Sequence, residues 1–308
     1  MTSPFPYADI GTPGTPWGAP EKALWRSRQT VKRRYAEEVL PRVEALGARY
    51  ERINYGHLPE DPARYPLVAL RSRNWQEGRP VVLVTGGVHG YETSGVHGAL
   101  RFLETEAAAF EGQVNLIVAP CVSPWAYETI QRWNPQAVDP NRSFGNRAAP
   151  ESAALLDLIA PWREQVQLHV DLHETTDSDE SEFRPALAAR DGKPFVPGRI
   201  PDGFYLVDDQ EQPQTAFQSA VIAAVAAVTP IAPAEADGTL IGSPVVAPGV
   251  IEYPLRTLGL CAGVTAARFK TTTEVYPDSP RTNPEECVRA QCVAVAAAIR
   301  YLLEAGPA

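Results

Sequence analysis

The sequence has no apolar stretch approaching the ~20 residues that a membrane-spanning helix needs. Its N-terminus lacks the basic start and apolar run of a secretory signal. The four cysteines form no CxxC pair, which argues against a cysteine zinc cage or a disulfide framework, and we interpret them as buried free thiols. These absences predict a cytoplasmic protein without a membrane partner.

Basic residues are also fewer than acidic ones. The chain has 28 Lys and Arg against 37 Asp and Glu, a formal net charge of −9. Nucleic-acid binding needs clustered basic residues, so we predict no nucleic-acid partner. There is no GxSxG motif, which argues against a serine hydrolase of the α/β type. Nothing in the sequence indicates the oligomeric state.

The remaining composition is that of an ordinary globular protein, with 44% hydrophobic and 21% charged residues. The length of 308 residues is compatible with one α/β domain, and no repeat or linker divides it. We predict that residues 1–50 form an N-terminal arm and helix within the same unit and that residues 51–308 form a single catalytic domain. Apolar spacing predicts the helix from Glu21 to about Tyr50, with Pro41 as a point where it can break.

Short β-rich segments then alternate with segments of helical periodicity. Strands are predicted near 66–72, 80–87, 114–120, 166–172 and 270–275, and helices near 92–108, 150–162, 216–228 and 284–304. Such alternation predicts an α/β fold with a mixed, mostly parallel central sheet and helices on both faces.

The segment TGGVHGYETSG, residues 85–95, lies where a buried strand gives way to a helix. Open α/β sheets bind ligands at the carboxyl ends of their strands. His89 and Glu92 are three residues apart there, and an imidazole with a carboxylate suits Zn²⁺. An HxxE pair alone is weak evidence, because it also occurs on solvent-exposed helices.

The segment QLHVDLHET, residues 167–175, strengthens the prediction. Its residues alternate, so that Gln167, His169, Asp171 and His173 share one face of a strand that is otherwise apolar. We predict His173, at the strand end, as the third ligand, and Asp171 as a residue that orients an imidazole or binds substrate nearby. His169 is the rival ligand, but its deeper position favours a hydrogen-bonded core histidine. Three ligands with an open fourth position predict one catalytic zinc ion per chain.

A carboxylate near the chain's end completes the set. Glu274 ends the threonine-rich segment FKTTTEV and is a candidate general base, with an exposed edge-strand glutamate as the alternative. The HGYE segment of His89 and Glu92, the DLH segment ending in His173 and the TxE segment ending in Glu274 together resemble the M14-type zinc carboxypeptidases. RWNPQAVDPNRSFG, residues 132–145, is similar to the RxNxxGxDLNRNF segment of that family.

The resemblance runs from about residue 55 to the C-terminus, and it implies roles for five further positions. Glu274 would activate the attacking water and then protonate the leaving amine. Arg132 would polarise the scissile carbonyl, because a guanidinium supplies a fixed positive charge. Asn141 and Arg142 would bind the substrate's terminal carboxylate. Tyr253, 21 residues before Glu274, would cap the substrate.

Departures from the pattern leave the substrate open. Ala137 replaces a glycine, Pro140 replaces a leucine and Ser123–Ala126 replaces an Asn-Pro-Asp-Gly loop, which suggests an outlying subgroup. We predict a metallocarboxypeptidase acting on a peptide. The alternatives are a deacylase of small N-acyl amino acids, of the succinylglutamate desuccinylase and aspartoacylase kind, and a murein peptide amidase. A non-catalytic module would lack a ligand or the base, and this sequence lacks neither.

Other polar residues receive no catalytic role. His57 is interpreted as a surface residue, and His97 lies on a different helix face from Glu92. Glu174 follows His173 but is not expected to be a ligand. The acidic run at 177–182 is interpreted as a solvated loop, with the rim of the cleft as an alternative.

Overall fold

The computed structural model of the protein describes residues 5–306, so residues 1–4 and 307–308 of the predicted units lie outside it. Eight strands form one sheet in the order β1-β2-β4-β3-β5-β10-β6-β9, and β7 and β8 form a separate hairpin. The strands are β1 (Tyr50–His57), β2 (Pro66–Ser72), β3 (Val81–Gly86), β4 (Asn115–Ala119), β5 (Val166–Glu174), β6 (Tyr205–Asp209), β7 (Thr239–Leu240), β8 (Ser243–Pro244), β9 (Val250–Tyr253) and β10 (Phe269–Val275).

The centre of the sheet is parallel. Strands β4, β3, β5 and β10 run in the same direction, whereas β1, β2 and β6 pair antiparallel with their neighbours and β9 is parallel to β6. Strands covered on both faces are apolar almost throughout, and every residue of β3 and β4 is buried. The prediction of a mixed, mostly parallel sheet is confirmed.

Helices cover both faces, as predicted. Helices α4, α8 and α9 pack with α2 and α3 on one face, and α6 packs on the other. Within residues 5–306 no helix combines the length and apolar character needed to cross a membrane. The helices are α1 (Ala19–Ser27), α2 (Tyr35–Glu38), α3 (Leu40–Ala45), α4 (Thr93–Thr105), α5 (Pro124–Thr129), α6 (Pro150–Ile159), α7 (Arg184–Arg190), α8 (Thr215–Val225) and α9 (Pro284–Ala305).

The prediction of a single helix between residues 21 and 50 is wrong. The segment forms α1, α2 and α3, and Tyr50 already begins β1. The break lies between α1 and α2, where the backbone N–H groups of Lys32 and Arg33 donate to the Glu128 carbonyl. Tertiary hydrogen bonds therefore override the helical periodicity of the sequence. Pro41 does not break a helix but lies in the first turn of α3, where its missing N–H costs nothing.

The carboxyl ends of β3, β5 and β10 meet at one edge of the sheet. Strands β5 and β10 are parallel neighbours in a register that places Glu274 opposite His173. Strands β3 and β5 are also parallel, and Thr85 stands opposite Asp171. Side chains that are distant in the sequence therefore come together where these three strands end.

A buried carboxyl in α6 makes stability depend on pH. Glu151 is buried, and its oxygens accept long hydrogen bonds of 3.4 Å from Ser123 Oγ and Asn134 Nδ2. Burial raises the pKa of Glu151 to about 7. In the unfolded chain the same carboxyl titrates near ~4.3. The folded protein therefore binds more protons than the unfolded chain between these two pKa values.

We expect Glu151→Gln to raise the free energy of unfolding at about pH 8 by no more than about 4 kcal/mol, because the neutral amide removes the cost of burying a carboxylate. The difference should shrink as the pH falls through the folded pKa and vanish below the unfolded one. Urea unfolding of both proteins at each pH measures it, since titrations that the two proteins share cancel in the comparison. Equal stability at all pH values would contradict the buried-acid interpretation.

Candidate metal centre

The turn between β3 and α4 aims His89 and Glu92 at one point. Gly90 leaves no room for a side chain, because a Cβ there would lie 1.9 Å from the carbonyl carbon of Ala126. The N–H of Gly90 donates to the Gln131 carbonyl at 3.0 Å and ties the turn to the neighbouring loop. Close backbone packing on both sides therefore sets the direction of the two side chains.

The three predicted metal ligands converge, with Glu92 between the two histidines. His89 Nδ1 lies 2.7 Å from Glu92 Oε1, and His173 Nδ1 lies 2.7 Å from Glu92 Oε2. The second contact has the distance of a hydrogen bond but not its alignment, so Oε2 has no hydrogen-bond partner among the described residues. All three side chains are buried, and their ligand atoms lie within 4.8 Å of one another. Such convergence fits donors that share one cation.

A carboxylate supports each imidazole from behind. His89 Nε2 lies 2.9 Å from Asp139 Oδ1, and His173 Nε2 lies 2.7 Å from Asp171 Oδ2. Metal-ligating histidines commonly engage a carboxylate through the second ring nitrogen, which fixes the tautomer and the ring orientation. The sequence predicted this contact for Asp171. It did not single out Asp139, although Asp139 lies within the segment that resembles the family motif.

The charges of the cluster also fit a metal ion. Burial alone would raise the pKa of Glu92, but the imidazoles of His173 and His89 lower it to about 2. Burial would lower the pKa of His173, but Asp171 and Glu92 raise it well above its ordinary value. The cluster thus favours positive charge between its carboxylates, which a divalent cation can supply. Two imidazole nitrogens and one carboxylate form a donor set typical of Zn²⁺.

Arg132 lies in a network of acids beside the metal donors. Its Nε donates to Asp139 Oδ2 at 3.1 Å, and its Nη1 donates to Tyr91 Oη at 3.3 Å and Asp179 Oδ1 at 3.4 Å. Tyr91 Oη also donates to Asp179 Oδ1 at 2.8 Å. The guanidinium is therefore held in a fixed orientation at the cavity wall.

The prediction of a solvated loop at 177–182 is wrong for its central residue. Asp179 is buried and begins a short helical turn, Asp179–Phe183. Its Oδ2 accepts from the Thr176 N–H at 2.8 Å, in addition to the contacts with Arg132 and Tyr91. The acid is buried because it has these donors, which a short acidic run in the sequence does not reveal.

Asn141 and Arg142 follow Asp139 in a tight turn. Asp139 Oδ1 accepts from the Asn141 N–H at 2.8 Å, and Asn141 Oδ1 accepts from the Cys261 N–H at 2.7 Å. Asn141 Nδ2 lies 3.4 Å from His173 Nε2. Arg142 Nη1 donates to the Asn141 carbonyl at 2.7 Å, and the guanidinium forms no ion pair with any residue in the range 5–306. Arg142 is thus a cation with free donors.

Ala137, one of the departures from the family motif, has a backbone conformation that glycine usually adopts. Its φ is 55°, in the left-handed region that favours glycine, which is the residue the motif has there. The N–H of Ala137 donates to the Asn134 carbonyl at 2.9 Å, and Arg190 Nη1 donates to the Ala137 carbonyl at 3.0 Å. These contacts hold a conformation that costs an alanine about 1 kcal/mol.

Glu274 lies near the end of β10. This strand is flanked by β5 and β6, so the alternative of an edge-strand glutamate facing water is wrong. Glu274 Oε2 accepts from Thr175 Oγ1 at 2.8 Å, and Tyr205 Oη lies 2.8 Å from the same hydroxyl. Burial raises the pKa of Glu274 to about 7. Neither Thr175 nor Tyr205 was predicted, because only the fold brings them to this carboxylate.

A cavity of about 810 Å³ opens over these residues. All eight predicted site residues line it: His89, Glu92, Arg132, Asn141, Arg142, His173, Tyr253 and Glu274. His169 is outside it and bonds Thr85 Oγ1 at 3.0 Å in the core, as expected of a core histidine. His97 is also outside the cavity and contacts Arg42, and His57 is exposed.

Comparisons with known proteins agree with this arrangement. Residues 79–191 match the family model described as the succinylglutamate desuccinylase/aspartoacylase catalytic domain. That range contains the three metal-donor candidates together with Arg132, Asn141 and Arg142. No curated protein matches the sequence.

Solved structures cover more of the chain. A protein from Shewanella amazonensis SB2B, named as a candidate metallopeptidase, is 21% identical with a TM-score of 0.63, covering 87% of this chain and 92% of that one. A metallo-carboxypeptidase from Burkholderia cenocepacia is 15% identical with a TM-score of 0.57, covering 92% and 68%. A metallo-carboxypeptidase from Pseudomonas aeruginosa is 15% identical with a TM-score of 0.57, covering 85% and 68%.

Residues 79–191 are therefore similar to the desuccinylase and aspartoacylase catalytic domain, and the chain has the carboxypeptidase-like fold. The predicted resemblance is thereby confirmed. Identities this low establish the fold alone, and they leave the substrate to be argued from the site. The range that matches the family model begins after the N-terminal arm and ends before Tyr253 and Glu274.

Proposed function

We propose that the protein is a zinc-dependent metallocarboxypeptidase that hydrolyses a C-terminal amide bond. One observation carries the proposal: Arg142, a cation that forms no ion pair among the described residues, lines the same cavity as the three candidate metal donors and Glu274. A guanidinium with free donors is suited to bind a carboxylate through paired hydrogen bonds. The arrangement therefore fits a substrate whose reacting amide lies close to a carboxylate.

The zinc ion, one per chain, would be held by His89 Nδ1, the Glu92 carboxylate and His173 Nδ1. When bound, zinc polarises a carbonyl oxygen and lowers the pKa of a water ligand to about 7. Asp139 and Asp171 keep the Nδ1 atoms directed at the metal by engaging the Nε2 atoms.

Glu274 is proposed as the general base, and later as the acid that protonates the leaving amine. A carboxyl with a pKa of about 7 can accept and release a proton near neutral pH. The Thr175 hydroxyl donates to Oε2 and orients the carboxylate. Arg132 would stabilise the negative charge that develops on the carbonyl oxygen, since Asp139 and Asp179 fix its guanidinium in advance.

Asn141, Arg142 and Tyr253 are proposed to bind the substrate. Arg142 would bind the carboxylate, and the Asn141 amide N–H group would assist, because the Cys261 N–H engages its oxygen. Tyr253 would cover the bound substrate from the cavity wall. We also propose a cytoplasmic location, since all four cysteines are buried free thiols, which suits a reducing compartment.

Arg142→Ala is expected to raise KM about 10- to 100-fold for substrates with a free terminal carboxylate, because a charge-assisted hydrogen bond contributes about 1.5–3 kcal/mol. Steady-state kinetics on a peptide and on its C-terminal carboxamide measure the effect. Arg147→Ala is the control, because Arg147 is exposed and pairs with Asp157. A variant that distinguishes peptide from carboxamide as well as the wild type does would reject carboxylate binding by Arg142.

A deacylase of small N-acyl amino acids is the second candidate, and the matching family model favours it. A murein peptide amidase would use the same chemistry. The deciding assay offers the zinc-loaded protein C-terminally varied peptides, N-succinylglutamate, N-acetylaspartate and a murein tripeptide. Release of C-terminal residues from peptides supports the carboxypeptidase. Turnover confined to acyl amino acids, or to the murein tripeptide, would replace it with the corresponding alternative.

A further inference from the structure

Arg33 connects the N-terminal arm to the turn that carries two metal donors. It lies between α1 and α2, outside the range of the family model. Its Nη2 donates to the Gly90 carbonyl at 2.6 Å and its Nη1 donates to Thr93 Oγ1 at 2.7 Å. Its Nε donates to the Tyr127 carbonyl at 2.7 Å. Two of these acceptors lie on either side of Glu92.

The position of Arg33 is itself tightly determined. Its backbone N–H and that of Lys32 donate to the Glu128 carbonyl, at 3.3 and 2.8 Å. Its guanidinium stacks on the Tyr127 ring, 3.7 Å from the centroid. Within the described part of the chain Arg33 forms no ion pair, so its three side-chain acceptors are all neutral oxygens. The planar fork of donors, rather than charge pairing, determines what Arg33 contacts.

We propose that Arg33 is a positioning residue of the metal centre, holding the turn that presents His89 and Glu92 to the ion. The inference rests on the proposed metal site. It assigns the N-terminal arm a part in metal binding.

The physical argument concerns Glu92. Oε1 of this carboxylate lies beside His89 and Oε2 lies beside His173, so small rotations of the Glu92 backbone move both oxygens. Arg33 binds the Gly90 carbonyl, two residues before Glu92, and the Thr93 hydroxyl, one residue after it. Without the guanidinium, the Gly90 carbonyl loses its donor and the turn is free to relax. Loss of residues that orient metal ligands commonly weakens metal affinity about 10- to 100-fold.

Arg33→Lys tests the proposal, with Arg34→Lys as the matched control. Arg34 is the adjacent, exposed arginine, and its side chain makes no hydrogen bond or ion pair within residues 5–306. Lysine keeps the charge but cannot donate to three acceptors in the fork geometry. We measure zinc affinity of the full chain by competition with a chromophoric chelator, and the visible spectrum of the cobalt-substituted protein. The Arg33→Lys protein should bind zinc about 10- to 100-fold more weakly and show altered cobalt bands, with Arg34→Lys unchanged.

A second pair of variants covers the case in which Arg33→Lys does not fold. Thr93→Val removes the hydroxyl that accepts from Arg33 and donates to the Tyr91 carbonyl at 3.2 Å, with little change of shape, and Thr93→Ser retains that hydroxyl. Thr93→Val should weaken zinc binding severalfold, and Thr93→Ser should not. Wild-type zinc affinity and cobalt bands in both Arg33→Lys and Thr93→Val would overturn the positioning role of Arg33 but not the proposed metal site. A wild-type protein that binds no zinc would overturn the metal site as well, so the two failures are distinguishable.

Discussion

His173→Ala is expected to reduce the zinc content from about one ion per chain to nearly none. The imidazole supplies one of the three donor groups, together with His89 and Glu92, and the remaining pair cannot hold a catalytic zinc ion against dilution. The substitution also leaves the Asp171 and Glu92 carboxylates without the imidazole between them. Metal analysis of the purified protein after gel filtration in metal-free buffer measures the loss, and His89→Ala should behave in the same way.

Two other histidines provide the controls for this experiment. His57 is exposed, so His57→Ala should retain full zinc. His169 was the rival ligand, but the structure places it against Thr85 in the core, so His169→Asn should also retain zinc. Full zinc in both His173→Ala and His89→Ala would reject the ligand assignment. Loss of zinc from His169→Asn with retention in His173→Ala would transfer the role to the rival.

The candidate metal donors could be picked out because their signal in the sequence is local. His89 and Glu92 are three residues apart in one turn, and His173 ends a strand whose alternation separates its polar face from its apolar one. The central strands were predicted for a similar reason, because strands buried on both faces are apolar over their whole length. In each case a short segment carries the necessary information.

The edge strands β1 and β9, and β6 beside β9, escaped prediction for a physical reason. Strand β1 is only partly buried and polar residues occupy half of its positions, whereas β6 and β9 are short and end in acids or a tyrosine. None of them shows a clean apolar run. The helix predicted over 21–50 failed for the complementary reason, since the carbonyl of Glu128, far away in the sequence, determines the backbone at residues 32 and 33.

The residues that orient the site are the least visible in the sequence. Asp139, Asp179 and Thr175 act on His89, Arg132 and Glu274, respectively, and the members of each pair are between 47 and 99 residues apart. No spacing rule links such pairs. They follow from strand order and register, which bring the ends of β3, β5 and β10 together.

Glu274→Gln is expected to keep the zinc ion but to lower kcat about 100- to 10,000-fold, the usual contribution of a positioned acid–base group. Glutamine can still accept the hydrogen bond from Thr175 Oγ1, so the local structure should persist. It cannot take a proton from the attacking water or return one to the leaving amine. Zinc content, substrate KM and kcat, measured on one preparation, separate these effects.

Thr175→Val is the companion to this variant. It leaves the Glu274 carboxylate in place but removes the donor at Oε2, so kcat should fall by less than in Glu274→Gln, with zinc unchanged. An active, zinc-loaded Glu274→Gln protein would remove the general base from the proposed mechanism. A loss of zinc in that variant would instead make Glu274 part of metal binding. The predicted combination, full zinc with little turnover, requires a carboxylate that faces the substrate rather than the metal, as its place opposite His173 on the neighbouring strand suggests.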